Sequence, residues 1–174
     1  KKLILNSKIL ISFSCLMKRY NILLELGSEI KFGFNMSKVF IYTDGGSRGN
    51  PGPAALGVHV QDEDGHRLAN IGKKIGDATN NVAEYSAIVE GLNWLLENKK
   101  EMAFKEAHFF MDSQLAYSQL VGLYKVKNDR IRQFMFEIRQ KEAELGIPIF
   151  YNHIPREKNT KADAMVNLAL DNRI

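Results

Sequence analysis

The stretch VFIYTDGGSRGNPGPAALGVHVQD, residues 39–62, decides the fold. Its first six residues, VFIYTD, are apolar on both faces, which is typical of a buried central strand. The following GGSRGNPGP is rich in turn-forming residues. AALGVHVQD (54–62) and RLANIGKKI (67–75) flank the turn-prone residues 63–66 and predict a hairpin. The stretch therefore begins a sheet with three successive strands.

The rest of the chain alternates between helical and strand patterns. Apolar residues at helical spacing predict a helix over 81–98, in which Trp94 belongs to the core rather than to a base-stacking surface. Further strands are predicted over 106–112 and 147–154, and further helices over 113–122, 129–145 and 160–170. This order predicts one α/β domain, a mixed sheet covered by helices.

Composition sets wider limits on function. A chain of 174 residues with 45% hydrophobic content fits one domain with a substantial core. The net charge of +4 is uneven, because residues 1–38 hold seven basic and two acidic residues, whereas residues 39–174 hold 17 basic and 18 acidic ones. Net charge is therefore weak support for nucleic-acid binding. The lone Cys15 excludes an internal disulfide and fits a reducing, cytoplasmic compartment.

The N-terminal residues differ from the remainder, so we predict an extension over residues 1–37 and a domain over 38–174. The apolar run ILISFSCLM (9–17) is shorter than the ~20 residues that span a bilayer, and no signal cleavage site follows closely. We expect translation to start at Met36, with residues 1–35 upstream of it or poorly ordered. A targeting or docking segment is the alternative.

Four acids, Asp44, Glu84, Asp112 and Asp163, carry the chemistry. Two of them end apolar strand patterns, and two lie at the start of helical patterns. Strand ends and helix starts can meet at one edge of a sheet. Two divalent cations bridged by such carboxylates would clamp the attacking and leaving oxygens of a phosphodiester.

Each acid also has a purely structural explanation. Glu84 and Asp163 stand three residues after Asn81 and Thr160, as in a helix capping box. The two acids that follow strands could instead cap a helix or anchor a turn. Taken together these explanations weaken, because unpaired charges on buried strands are costly. Clustered carboxylates also repel one another and raise their pKa values unless a cation is present. The coincidence favours a metal site.

Four blocks of sequence carry a family resemblance: TDGGSRGNPGPAALGV, TNNVAEYSAIVEGL, FFMDSQLAYSQLVGLYKVKN and HIPREKNTKADAMVNLA. Together, over about residues 38–173, they resemble type 1 ribonuclease H. The resemblance implies a ribonuclease H-like fold, a five-stranded mixed sheet whose first three strands are antiparallel. It implies an endonuclease that cuts the RNA strand of RNA–DNA hybrids with two Mg²⁺ ions, leaving 5′-phosphate and 3′-hydroxyl ends. Mn²⁺ is expected to substitute. The short VGLYKVKND stretch indicates a compact form without a long basic handle.

The resemblance also implies roles for individual residues. Asp44, Glu84, Asp112 and Asp163 would be the catalytic metal ligands. His153, ten residues before Asp163, matches a mobile active-site histidine that relays protons or helps product release. A histidine bonded to backbone at a strand end would give the same pattern.

Substrate contacts are expected beside the acids. The resemblance indicates the turn and helix-start residues Gly45, Gly46, Ser47, Asn50, Thr79, Asn80 and Asn81 as contacts, with Asn50 and Thr79 holding a phosphate of the DNA strand. Lys125, Lys127 and Arg130 form a basic patch that could grip the hybrid backbone. The alternatives are an ordinary turn and a solvated lysine-rich connection.

Three functions remain open from the sequence. The leading hypothesis is a hybrid-specific ribonuclease, expected to act as a monomer without an obligatory protein partner and without a membrane. A non-catalytic hybrid-binding module would not need all four acids. A nuclease or transposase-like enzyme acting on DNA would not need residues that recognise the RNA 2′-hydroxyl.

Overall fold

The computed structural model describes residues 37–174. The predicted N-terminal extension and the start at Met36 lie outside the described residues, except for Ser37. The strands are β1 (Lys38–Ser47), β2 (Gly52–Asp62), β3 (Arg67–Ala78), β4 (Glu106–Met111) and β5 (Ile149–His153). The helices are α1 (Asn80–Met102), α2 (Gln114–Leu120), α3 (Asp129–Leu145) and α4 (Thr160–Leu170), with one 3-10 turn at Arg156–Lys158. Every predicted strand and helix is confirmed, with ends that differ by a few residues.

The strands form one five-stranded mixed sheet in the order β3-β2-β1-β4-β5. β1, β2 and β3 are antiparallel neighbours, whereas β4 runs parallel to β1 and β5 runs parallel to β4. Parallel neighbours need long crossover connections, which α1 provides before β4 and the α2–α3 pair provides before β5. The predicted sheet and the central position of β1 are confirmed.

Helices cover the sheet on both faces. α1 packs on β1 and β2 with α3 behind it, and α4 packs on the opposite face against β1, β2 and β3. Ile41, Leu92 and Phe109 are fully buried between the sheet and α1. Trp94 is 8% exposed and packs beside Phe104, which confirms its place in the core. Between residues 37 and 174, no helix has the length and apolar character needed to cross a membrane.

The prediction that β1 ends at Asp44 and turns at Gly45 is wrong by three residues. β1 continues to Ser47, and its pairing with β2 runs from Asp44 opposite Gly57 to Ser47 opposite Ala54. Its pairing with β4 ends earlier, at Thr43. Glycine is common in turns, but here pairing with β2 keeps Gly45 and Gly46 in an extended strand. Asp44 therefore lies within a strand, at the point where the neighbour on the β4 side has stopped.

Candidate active site

The four acids lie together at one end of the sheet, around its central strand. Carboxylate oxygens of Asp44, Glu84 and Asp112 all lie within 4.8 Å of one another. Asp163, in the first turn of α4, lines the same open cavity of about 380 Å³. The site thus combines one residue within β1, one directly after β4 and two on helices, separated by up to 119 positions.

Glu84 reaches Asp44 because a glycine lets α1 approach β1 closely. A Cβ atom on Gly45 would lie 2.1 Å from the carbonyl carbon of Ala83 and 2.2 Å from the backbone nitrogen of Glu84. A side chain at this position would therefore overlap the helix backbone. The second turn of α1 rests directly on the strand, next to the central acid.

A second glycine, Gly57, lets α4 approach the opposite face of the sheet closely. A Cβ atom on Gly57 would lie 2.2 Å from the carbonyl oxygen of Ala162 and 2.9 Å from the backbone nitrogen of Val166. Gly57 is the residue opposite Asp44 in the β1–β2 ladder. The close contact between Gly57 and α4 therefore sets how far Asp163 stands from the central acid.

Helix capping does not account for the two acids on helices. α1 begins one residue earlier than predicted, and its cap is Thr79, whose hydroxyl accepts from the Val82 N–H at 3.4 Å. α4 begins after Asn159, whose side chain makes no capping bond. Both capping boxes considered from the sequence are wrong, because neither Glu84 nor Asp163 occupies the third helical position.

Asp44, within β1, and Asp112, directly after β4, likewise do not have the structural roles considered for them. Ser113 caps α2, since its hydroxyl accepts from the Ala116 N–H at 3.4 Å, so Asp112 does not. Asp44 accepts from the Gly45 N–H at 2.9 Å, but it does so within an extended strand rather than a turn.

Burial and mutual repulsion oppose the ionised form of the central acids. Burial, followed by the charges of Asp112 and Asp163, raises the pKa of Asp44 to about 6. Burial, followed by the charges of Asp44 and Asp112, raises the pKa of Glu84 well above its ordinary value. Arg156 acts in the opposite direction on both. A divalent cation would favour the ionised forms in the same way and more strongly.

The donor set fits a hard divalent cation. Asp44, Glu84 and Asp112 each offer a carboxylate oxygen, and Mg²⁺ prefers oxygen ligands while keeping several waters. The cavity leaves room for those waters. Mn²⁺ has the same preference for carboxylate and water.

Another acidic group, at the turn between β2 and β3, has a local explanation. Asp62 accepts from the backbone N–H of Asp64 at 3.0 Å and of His66 at 2.8 Å, and it also contacts the His66 ring at 3.1 Å. Its oxygens are thus engaged in closing the hairpin. Nothing further is needed to explain this group.

Two residues that sequence reasoning missed complete the site. Arg156 contacts Oδ1 of Asp163 at 3.1 Å, and its side chain is 79% exposed at the cavity. Asn159 is fully buried and donates to Oδ1 of Asp112 at 2.9 Å. No local pattern distinguishes Arg156 from the neighbouring Lys158, and Asn159 directly before a helix resembles an ordinary cap.

His153 lies at the end of β5, beside Asp112. It is exposed, and Nε2 lies 3.2 Å from the backbone carbonyl oxygen of Asp112. The Tyr117 ring lies next to the imidazole, with 6.0 Å between the ring centroids. His153 thus contacts the backbone of Asp112 rather than its carboxylate.

The substrate contacts predicted on the turn and at the start of α1 line two hollows. Gly45, Gly46, Ser47 and Asn80 line the cavity of the four acids. The Asn80 amide oxygen accepts from the Ser47 backbone N–H at 2.9 Å and lies 2.8 Å from the Ser47 hydroxyl. These hydrogen bonds fix the end of β1 against the start of α1.

A second hollow, of about 350 Å³, lies beside the first. Asn50, Thr79 and Asn81 line it together with Asn128 and Arg130. Asn50 also accepts from the Asn80 backbone N–H at 3.2 Å, which links the two hollows. The set combines amide, hydroxyl and guanidinium donors, which suits an anion. Lys125 and Lys127 are exposed in the connection between α2 and α3, residues 121–128.

Comparison with known proteins supplies the family. A family described as reverse transcriptase-like matches residues 42–169. Ribonuclease HI of Halobacterium salinarum is 39% identical over 135 residues, which cover 77% of this chain and 65% of that protein. The structure of LC11-RNase H1, isolated from compost by a metagenomic approach, has a TM-score of 0.73 and 42% identity, covering 79% of this chain and 99% of that one. The chain belongs to the type 1 ribonuclease H family.

The same compost ribonuclease H1 has been solved in complex with an RNA/DNA hybrid, at 41% identity and a TM-score of 0.73, covering 78% of this chain and 98% of that one. The chain spans less than two thirds of the length of the Halobacterium ribonuclease HI. The short connection over residues 121–128 gives this ribonuclease H the compact form that the sequence predicts.

Proposed function

We propose that this protein is an endoribonuclease that hydrolyses the RNA strand of RNA–DNA hybrids by two-metal-ion catalysis. The convergence of Asp44, Glu84 and Asp112 within 4.8 Å, with Asp163 on the same cavity, carries the proposal. A related ribonuclease H1 binds an RNA/DNA hybrid. The expected location in the cytoplasm and the monomeric state stay predictions.

The four acids would hold the cations. Asp44, Glu84 and Asp112 would hold a cation that stabilises the leaving 3′ oxygen, and Asp163 together with Asp44 would hold a cation that activates the attacking water. Bound cations would stabilise both oxygens and lower the pKa of the water. Hydrolysis would form a bond between the water oxygen and phosphorus and break the bond to the 3′ oxygen. The products would be 5′-phosphate and 3′-hydroxyl ends.

The chain's own residues would prepare this reaction. The ionised forms of Asp44 and Glu84, which burial disfavours, would be stabilised when cations bind. Arg156, which already pairs with Asp163, would offset the negative charge of the cavity before binding. His153, beside Asp112, would receive or return a proton as the 3′ oxygen departs.

Hybrid recognition would use the two hollows separately. The Ser47–Asn80 pair and the backbone of Gly45 and Gly46 would contact the ribose 2′-hydroxyl, the group that distinguishes RNA from DNA. The second hollow, with Asn50, Thr79, Asn81 and Arg130, would hold a phosphate of the DNA strand. Lys125 and Lys127 would contact the hybrid backbone beyond it.

The test is a cleavage panel with end-labelled substrates: RNA–DNA hybrid, RNA duplex, DNA duplex and single-stranded RNA, each with Mg²⁺, Mn²⁺ or chelator. We expect the RNA strand of the hybrid alone to be cut, with the activity lost in chelator and in Asp44→Asn. Asn98→Ala is the matched control, because the Asn98 side chain bonds within α1, to the Trp94 carbonyl.

Two outcomes would contradict the proposal. Tight hybrid binding without cleavage in either metal would indicate a binding module. Cutting of the DNA duplex would show that the residues near Asn80 do not select for the 2′-hydroxyl.

A further inference from the structure

Asn159 is a fully buried polar side chain between the 3-10 turn and α4. Its amide nitrogen lies 2.9 Å from the backbone carbonyl oxygen of Thr43 and 2.9 Å from Oδ1 of Asp112. Both partners are acceptors, so the NH₂ group must face them, and the orientation of the amide follows from its neighbours. Each of its two protons therefore has one acceptor.

The backbone of Asn159 makes a third connection. Its carbonyl oxygen accepts from the Asp163 N–H at 3.1 Å, in the first turn of α4. Thr43 directly precedes Asp44 in β1. One residue thus joins the strand of the central acid, the carboxylate of Asp112 and the helix of Asp163.

Helix capping does not explain this arrangement. An asparagine at a helix N-cap ordinarily accepts a hydrogen bond from the backbone of the first turn. The Asn159 side chain makes no such bond, and its Oδ1 has no hydrogen-bond partner within the described part of the chain. A buried acceptor without a partner is unfavourable. The start of α4 therefore lacks a side-chain cap, while the Asn159 amide donates to the Thr43 carbonyl oxygen and to Oδ1 of Asp112.

We propose that Asn159 is a positioning residue for the metal site, an inference that rests on the proposed function. Its N–H fixes Oδ1 of Asp112 and leaves the other carboxylate oxygen for a cation. A neutral amide orients the carboxylate without competing with the cation. A positively charged lysine or arginine at this position would compete with the cation for the carboxylate. Partners that orient metal-binding carboxylates typically change metal affinity or activity by roughly 10- to 100-fold when removed.

The experiment compares wild type, Asn159→Ala and Asn159→Ser by calorimetric titration with Mn²⁺ and by hybrid cleavage across Mg²⁺ concentrations. We expect Mn²⁺ affinity to fall by at least about 10-fold in Asn159→Ala, with a matching rise in the Mg²⁺ needed for half-maximal rate. The KM for the hybrid should stay unchanged, and high Mg²⁺ should partly restore the rate. Serine keeps a single donor for two acceptors, so Asn159→Ser should also weaken Mn²⁺ binding, and it provides the test if the alanine variant does not fold.

Asn152→Ala is the matched control. Asn152 also donates from a half-buried amide to a strand carbonyl, that of Phe109 at 3.1 Å, but among the described residues it bonds no acid. It should keep wild-type Mn²⁺ affinity. In an Asp112→Asn background, Asn159→Ala should cause no further loss of Mn²⁺ binding.

The outcomes separate this inference from the proposed function. Wild-type Mn²⁺ affinity and Mg²⁺ dependence in a folded Asn159 variant would overturn the role of Asn159 and leave the nuclease proposal intact. Wild type that binds Mn²⁺ but cuts no hybrid would overturn the nuclease proposal, while the affinity comparison would still decide the role of Asn159.

Discussion

Adding one methyl group at Gly57 should separate the acids without touching any of them. In Gly57→Ala the new Cβ would lie 2.2 Å from the Ala162 carbonyl oxygen, whereas ordinary contact begins at 3.4 Å. α4 must therefore retreat by about 1 Å, because the contact is with helix backbone and no rotamer change relieves it. Since α4 carries Asp163 while β1 carries Asp44, the shift widens the site directly.

The magnitudes follow from this overlap. Forcing extra volume into a packed interface typically costs about 1–3 kcal/mol, which for a domain of this size lowers Tm by roughly 3–10 °C. Misplacing a catalytic group by about 1 Å costs on the order of 100-fold in rate. We expect kcat for hybrid cleavage at 25 °C to fall by about that factor, while circular dichroism shows the variant still folded.

The control for Gly57→Ala is Gly65→Ala, in the turn between β2 and β3. Gly65 has φ of +82°, and no atom of the described residues beyond its chain neighbours lies within 4 Å of where the methyl group would stand, so alanine there strains the turn but touches nothing. It should lower Tm and leave kcat unchanged. If Gly57→Ala keeps both Tm and kcat of the wild type, Gly57 does not set the separation of the acids.

Two further predictions concern charge. With its pKa raised from 3.8 to about 6, Asp44 keeps a proton in the folded protein that the unfolded chain releases, so the metal-free protein should lose stability as pH rises from about 4 to 6, by up to about 3 kcal/mol. Thermal melts in chelator should therefore show a higher Tm for Asp44→Asn than for wild type at pH 7.5. The difference in Tm should shrink at pH 4, and it should also shrink when Mg²⁺ is added to wild type. Equal Tm values at pH 7.5 in chelator would contradict this prediction. If Arg130 holds a phosphate, Arg130→Ala should raise the KM for the hybrid and reduce the slope of log KM against log salt by about 1. The kcat should not change. An unchanged slope would show that Arg130 does not contact the hybrid.

The strands and the helices could be predicted because alternating and helical spacings are local properties of the chain, and the four acids were predicted from the local motifs that contain them. The end of β1 was predicted wrongly, since glycines after Asp44 look the same in a turn and in an extended ladder. The importance of Gly57 depends on a helix backbone more than 100 positions later, which no local pattern contains. Asn159 was missed for a related reason: its position matches a helix cap, and only the packed structure shows its amide turned towards Asp112.

The connection over residues 121–128 carries none of the four acids, and its Leu123 and Tyr124 are 68% and 57% exposed. Under the proposed function, catalysis and binding of the hybrid backbone belong to separate parts of the chain, the first to the sheet and its two flanking helices and the second to a surface segment. Exposed segments of this kind accept insertions readily. We expect that grafting a longer basic sequence between Gly122 and Asn128 would change the affinity for the hybrid and leave the arrangement of the four acids unaltered.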